Sequence, residues 1–154
     1  MDDKLNDWLA QEYLLLQKTV EDFDARALTI KAWSVTFSAA GLGLAYQQHN
    51  RILLLIAALS AVIFWIVEAV WKMHQRAFYA RIREIEAHFA LVGHGSFAPF
   101  QILRSWQTSF GGGAGADEGG LRGRLAVPFF AGVMLPHVVV ALAGVALYLV
   151  CPPA

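Results

Sequence analysis

Three side chains able to carry charge stand in stretches that are otherwise apolar. Lys31 opens an uncharged run that reaches Tyr46, Glu68 is the one charged residue of ILLLIAALSAVIFWIVEAVW, and His137 lies near the middle of LAVPFFAGVMLPHVVVALAGVALYLVC. An ionisable group inside a membrane is costly and often functional, because it can hold an ion or relay a proton. These three positions are therefore the first candidates for chemistry.

Signatures of catalysis are missing from the sequence. It has no G-x-x-x-x-G-K-[ST] phosphate loop, no H-E-x-x-H zinc motif and no G-x-S-x-G nucleophile motif. The single cysteine, Cys151, excludes an intramolecular disulfide and a cysteine-based zinc site. We expect a protein that is not an enzyme, with no catalytic, cofactor-binding or metal-binding residues and no nucleic-acid partner.

The composition places these residues in a membrane protein. Of the 154 residues, 57% are hydrophobic and 16% are charged, whereas about a quarter of the residues of a soluble domain are charged. A membrane-spanning helix needs about 20 mostly apolar residues. Three stretches qualify, residues 27–46, 52–71 and 125–151, and Pro128 and Pro136 should kink the third.

Basic residues set the expected orientation of the spans. Eleven of the 12 Lys and Arg residues lie in the N-terminal arm or between the second and third spans, and only Arg51 lies between the first two. Loops rich in Lys and Arg stay on the cytoplasmic side. We therefore expect a multi-pass protein of the lipid bilayer with a cytoplasmic N-terminus and a C-terminus outside.

The first two spans should form an antiparallel hairpin that turns near His49 and Asn50. In that register Lys31 and Glu68 meet at one depth, near the cytoplasmic boundary. Pairing lowers the cost of burying either charge. We interpret the two residues as a structural ion pair; the alternative is that they line an ion or proton path.

The same hairpin should continue beyond the membrane as a coiled-coil stalk. Apolar residues of the N-terminal arm alternate spacings of four and three, and the arm that returns from the membrane keeps nearly the same rhythm. Phe23 should face Phe78 in this register. The N-terminal arm is rich in acids and the returning arm in bases, and Asp24 opposite Arg76 is the expected ion pair of the stalk.

Three regions are expected along the chain: residues 1–92 as hairpin and stalk, residues 93–124 as a cytoplasmic connection, and residues 125–154 as the third span with a short outer tail. In the connection, PFQILRSWQTSF predicts a short amphipathic helix, either in the membrane interface or packed against the stalk. The glycine-rich residues 111–120 predict a flexible linker. The predicted fold class is all-α and membrane-integral: a long antiparallel helical hairpin with a cytoplasmic coiled-coil stalk plus a third transmembrane helix.

His137 follows Pro136 near the middle of the third span, and two interpretations stay open. In the first, the imidazole hydrogen-bonds a carbonyl freed by the proline kink or a polar side chain of a neighbouring span, with Ser34, Thr36 and Ser38 as candidates. In the second, it titrates or lines a pore in an oligomer.

Small residues on the first span predict close contacts between helices. Such residues let helix backbones approach each other in membranes. One hairpin and one further span use this face only in part, so self-association into a homo-oligomer follows as a hypothesis. The residues are Ser34, Ser38, Ala39, Gly41, Gly43 and Ala45.

The segments EYLLLQKTVEDFDARALTIKAWSVT and FWIVEAVWKMHQRAFYARIREIE resemble a group of small bacterial inner-membrane proteins of unassigned function, over about residues 11–90. The layout of a two-span hairpin with long cytoplasmic helices is also similar to that of SLATT-type effector domains, although the third span departs from it. The second similarity implies a membrane-perturbing or pore-forming role and carries no site residues.

Two functions follow as hypotheses. In the first, the protein is an oligomeric inner-membrane channel or pore, which the positions of Lys31, Glu68 and His137 and the small-residue face favour. In the second, it is a membrane-anchored scaffold or sensor that binds a cytoplasmic protein partner through its charged stalk.

Overall fold

The computed structural model describes residues 2–90, 98–111 and 121–153, and every regular element in these ranges is helical. The all-α class is therefore confirmed. Most of the predicted glycine-rich linker, residues 112–120, lies outside the described residues, as do residues 91–97.

Two long helices come first in the chain. Helix α1 spans Asp2–Gln47 and helix α2 spans Ile52–Phe89, and neither contains a proline that would interrupt it. The chain reverses between them, where His49 has a positive φ of 51° and the Asn50 side chain accepts the N–H of Ile52. The turn thus falls where the sequence predicts it.

The later helices are short. They are α3 (Ile102–Gly111), α4 (Leu121–Ala126), a 3₁₀ turn (Val127–Phe129), α5 (Ala131–Met134) and α6 (His137–Val150). The third predicted span is therefore a series of pieces and not one kinked helix. Pro128 lies in the 3₁₀ turn and Pro136 directly precedes α6. A proline lacks the N–H that the interior of an α-helix needs, so no α-helix continues through either residue.

One helix among the described residues, α2, is long and apolar enough to cross a membrane, judged by its length and composition. Helix α6 is apolar but has 14 residues. In α1, Lys31 and several hydroxyl-bearing residues interrupt the apolar ones. The spans at residues 27–46 and 125–151 stay predictions.

Contacts divide the chain into two units, and each long helix contributes to both. The polar unit combines Met1–Ala25 with Lys72–Leu125. The apolar unit combines Arg26–Trp71 with Ala126–Ala154. Every contact described below lies within one unit.

An aliphatic core joins α1 and α2 in the polar unit, where the two helices run antiparallel. Phe23 and Phe78 continue this contact with ring centroids 5.8 Å apart, as the facing register predicts. Burying an aliphatic side chain fully stabilises the fold by about 1.5–3 kcal/mol. The buried members of the core are Leu9, Leu16, Ile82 and Ile85.

Helix α3 packs against α2 through aromatic rings. Trp106 stacks on His74 and on Phe110, with centroids 6.0 and 4.8 Å apart, and its indole N–H donates to the His74 carbonyl at 3.2 Å. The structure thus has α3 packed against the returning arm, and its placement in the membrane interface stays untested.

Glycines let the helices of the apolar unit approach closely. A Cβ added at Gly41 of α1 would lie 2.9 Å from the Ala57 Cβ of α2. One added at Gly144 of α6 would lie 3.0 Å from the Leu54 carbonyl oxygen of α2. A side chain at Gly41 would force a shift and one at Gly144 would be tight, so α2 packs directly against both neighbours.

Candidate functional site

Glu68 of α2 is the centre of a polar network in the apolar unit. Its Oε1 atom accepts a hydrogen bond from Lys31 Nζ of α1. Its Oε2 atom lies 2.8 Å from Nε2 of His137, the first residue of α6. The other ring nitrogen, His137 Nδ1, lies 2.7 Å from the Ser34 hydroxyl of α1. The network therefore joins three helices.

Three of the four side chains in the network are buried from solvent, and the fourth is partly exposed. Glu68 is 1% exposed, and both His137 and Ser34 are 0% exposed. The Lys31 side chain is 22% exposed. Lys31 is thus the one member with a route to the surface.

Local sequence explains how the four side chains converge. Lys31 and Ser34 are three residues apart, so they lie on one face of α1. Pro136 ends the preceding segment and makes His137 the first residue of α6. The positive end of the α6 dipole thus lies at His137 and favours an anion there, which Glu68 supplies.

The hydrogen-bond partners determine the proton positions on a neutral imidazole. An ionised carboxylate only accepts, so His137 Nε2 carries the proton that points at Glu68. Nδ1 then accepts from the Ser34 hydroxyl. With Lys31 charged and Glu68 ionised, the group is electrically neutral and each His137 ring nitrogen has a partner, which makes its burial tolerable.

The structure brings together some of the residues predicted for this site and separates others. Lys31 contacts Glu68, and Ser34, one of the three hydroxyl-bearing candidates on α1, contacts His137. The Ser38 hydroxyl instead lies 3.2 Å from the Ser60 hydroxyl. The contact between Glu68 and His137 was not predicted from the sequence.

The six small residues of α1 divide into two sets. One set faces the interior: Ser34, Ser38 and Ala45 are buried, and Gly41 touches α2. The other set, Ala39 and Gly43, is exposed, and nothing lies within 4 Å of a Cβ added at Gly43. Most of the predicted helix-contact face is therefore used within the chain itself.

A second buried ion pair lies in the polar unit and was missed in the sequence. Arg81 of α2 contacts Glu12 of α1 through two hydrogen bonds, Nε to Oε1 at 2.8 Å and Nη2 to Oε2 at 3.0 Å. Both side chains are almost fully buried. The pair also holds the chain that precedes α3, since Phe100 N–H donates to Glu12 and Arg81 donates to the Ala98 carbonyl.

The surroundings of Glu12 shift its titration. Burial by itself raises the pKa of Glu12, but the hydrogen bonds from Arg81 and the Phe100 N–H, with the charge of Arg81, together lower it below its ordinary value. The hydrogen bond to Glu12 likewise raises the pKa of Arg81. Both residues are therefore held in their charged forms.

Two further features of the polar unit bear on function. Asp24 accepts a hydrogen bond from Lys72 at 2.9 Å. Lys72 lies one turn before Arg76 on α2, and the predicted pair of Asp24 with Arg76 stays a prediction. A groove of about 400 Å³ lies between α1 and α2 and is mainly apolar. Its lining residues are Ala10, Tyr13, Leu14, Glu86 and Phe89.

The described residues include no group of three or more His, Cys, Asp or Glu side chains that could hold a metal ion. No protein-family model, curated protein or solved structure matches the chain. The resemblances drawn from the sequence stay expectations.

Proposed function

We propose that the chain is a non-enzymatic, homo-oligomeric protein of the bacterial inner membrane that acts as an ion channel. The observation that supports this most is the buried contact of Glu68 with His137, which Lys31 completes. Ionisable side chains enclosed by apolar membrane helices commonly belong to ion or proton pathways.

The described arrangement suits the closed state of such a channel. Glu68 and His137 have almost no access to solvent, so the network has to separate before an ion can reach them. The contacts of α2 at Gly41 and Gly144 leave no space for an ion at those levels within one subunit. We therefore propose that the conducting path lies between subunits and that separation of the network exposes Glu68 and His137 to it.

Self-association would use the small residues that the subunit leaves exposed. Ala39 and Gly43 are four residues apart on α1, the spacing that allows close approach of membrane helices. Crosslinking in mild detergent tests this step, and a monomer at every protein concentration would contradict it.

Currents in planar lipid bilayers test the channel itself. Glu68→Gln removes the anion that holds Lys31 and His137 together, so we expect the open probability to rise at least about tenfold, the equivalent of about 1.4 kcal/mol. Glu86→Gln is the matched control, because Glu86 is an exposed carboxylate on the same helix that accepts from the Tyr13 hydroxyl at 3.0 Å. It should behave as wild type. Silence of both wild type and Glu68→Gln would contradict the proposal, as would equal effects of the two variants.

The groove in the polar unit favours a second function, a membrane-anchored scaffold or sensor that binds a cytoplasmic protein. Leu14, one of its lining residues, is 67% exposed, and an apolar side chain so placed is available to a partner. Crosslinking in cells should lose the partner in Leu14→Asp and keep it in Leu15→Asp, since Leu15 is also exposed but does not line the groove. Equal crosslinking in both variants would contradict this function.

A further inference from the structure

We propose that a proton on His137 and the ammonium group of Lys31 compete for Glu68, so that proton binding at His137 releases Lys31 and separates the network. The inference deepens the channel function and rests on it for one consequence, the opening of the path. The binding site for the proton exists whether or not a current flows.

Charge balance makes the two cations exclude each other. Glu68 supplies one negative charge, and Lys31 neutralises it while His137 is neutral. When His137 takes up a proton, the three side chains carry a net charge of +1 in an enclosed site. A buried charge without a compensating partner is strongly destabilising. One of the cations then has to leave Glu68.

The geometry selects Lys31 as the cation that leaves. Its side chain is 22% exposed and long enough to carry the ammonium group toward water while its methylene groups stay buried. His137 has a short side chain, is 0% exposed and has a partner on each ring nitrogen. A charged His137 therefore stays on Glu68.

Ser34 fits both charge states of His137. Its hydroxyl donates to Nδ1 while the imidazole is neutral, and it can rotate to accept from Nδ1–H once the ring is charged. The 2.7 Å separation suits either direction. Protonation of His137 thus needs no movement of its ring.

Among the described residues of the network, Glu68 is the one anion that can compensate the positive charge of a protonated His137. Glu68 on α2 contacts the ring directly, and Lys31 on α1 contacts Glu68. Residues 125–151, which contain His137, have no Asp, Glu, Lys or Arg. Tyr148 belongs to the same segment, and its ring lies 5.6 Å from the guanidinium carbon of Arg51.

Magic-angle-spinning NMR of the full chain in lipid bilayers tests the competition without a mutation. The ¹⁵N shifts of the His137 ring report its charge, and the dipolar coupling between Lys31 Nζ and the Glu68 carboxyl carbon reports their contact. As the pH is lowered over the range in which the protein stays folded, we expect the coupling to fall at least about twofold as His137 becomes protonated. A coupling that persists beside a protonated His137 overturns the proposal, as does a His137 that stays neutral throughout.

Three variants give an independent test at a fixed pH near 6. Lys31→Met removes the competitor, so the protonated fraction of His137 should be clearly higher than in wild type at the same pH. Lys31→Arg restores the cation and should return the wild-type fraction. Lys72→Met removes a lysine that pairs with Asp24 in the polar unit and should have no effect. Equal fractions in Lys31→Met and Lys72→Met overturn the proposal.

The two proposals fail in different ways. If the NMR coupling falls with protonation while bilayers stay electrically silent, the channel function is contradicted and the proton site is supported. If currents flow while the coupling persists at low pH, the channel function is supported and the competition is overturned.

Discussion

The Oε2 atom of Glu68 and the Nε2 atom of His137 lie 2.8 Å apart, although 69 residues separate them along the chain. This contact attaches α6 to α2 at a point where both side chains are buried. Lys31 of α1 donates a hydrogen bond to the other carboxylate oxygen of Glu68. Glu68 therefore connects α2 to both α1 and α6.

Removing the carboxylate at position 68 should destabilise the apolar unit strongly. Glu68→Ala leaves a lysine ammonium and a histidine ring nitrogen without their acceptor, and loss of one partner of a buried ion pair costs about 3–5 kcal/mol. Glu86→Ala removes an exposed carboxylate of the same helix and should cost less than about 1 kcal/mol. Thermal unfolding in detergent measures both; equal losses would contradict the central place of Glu68.

The two neighbouring glycines of α1 should respond oppositely to alanine. Gly41→Ala puts a Cβ 2.9 Å from that of Ala57, so α1 and α2 must separate, at a cost of about 1–3 kcal/mol. Gly43→Ala enters space that is open within the single chain, so in the monomer it should be neutral or stabilise by up to about 1 kcal/mol, because alanine loses less backbone entropy in a helix. Unfolding curves of the two variants that coincide would mean that the helices do not meet at Gly41.

The buried pair of the polar unit should be as sensitive as that of the apolar unit. Arg81→Met leaves Glu12 with a buried charge and should cost about 3–5 kcal/mol. Arg83→Met alters an exposed residue on the same helix and should cost less than about 1 kcal/mol. Hydrogen exchange at the Phe100 amide, which donates to Glu12, should accelerate only in Arg81→Met.

Glu12 also predicts a dependence of stability on pH. Because its pKa is lower in the folded protein than the ordinary 4.5, its contribution is fully present above about pH 4.5 and is lost as the pH falls through the folded-state value. The free energy of unfolding of wild type should exceed that of Glu12→Gln most near pH 6, and the difference should shrink in acid. A constant difference down to about pH 3 would show that Glu12 is not held ionised by the fold.

Part of this arrangement could be predicted from the sequence. A hairpin centred on residues 49 and 50 fixes which residues of α1 and α2 face each other, and so places Lys31 near Glu68 and Phe23 near Phe78. No comparable constraint ties residues 125–151 to the hairpin. The breaks at Pro128 and Pro136 change the direction of this segment in ways that side-chain patterns do not encode, so the contact of His137 with Glu68 could not be derived.

The ion pair of Glu12 and Arg81 could have been predicted from the spacing of the two residues in the sequence. Glu12 lies three residues after Leu9 and four before Leu16, which is an inward-facing position on α1. Arg81 lies in the same way between Phe78 and Ile85 on α2. A charged residue at an inward position on each of two antiparallel helices predicts a buried pair.

Both proposals depend on the contact between Glu68 and His137, and a single distance measured by NMR tests it. Protein with ¹⁵N-labelled histidine and ¹³C-labelled glutamate carboxyl groups is diluted in unlabelled protein, so that only contacts within one subunit are observed in lipid bilayers. We expect a dipolar coupling between His137 Nε2 and the Glu68 carboxyl carbon that corresponds to about 3–4 Å, the range set by a hydrogen bond. This coupling should disappear in Glu68→Ala. A coupling too weak to detect in wild type, with His137 resolved and assigned, would contradict it.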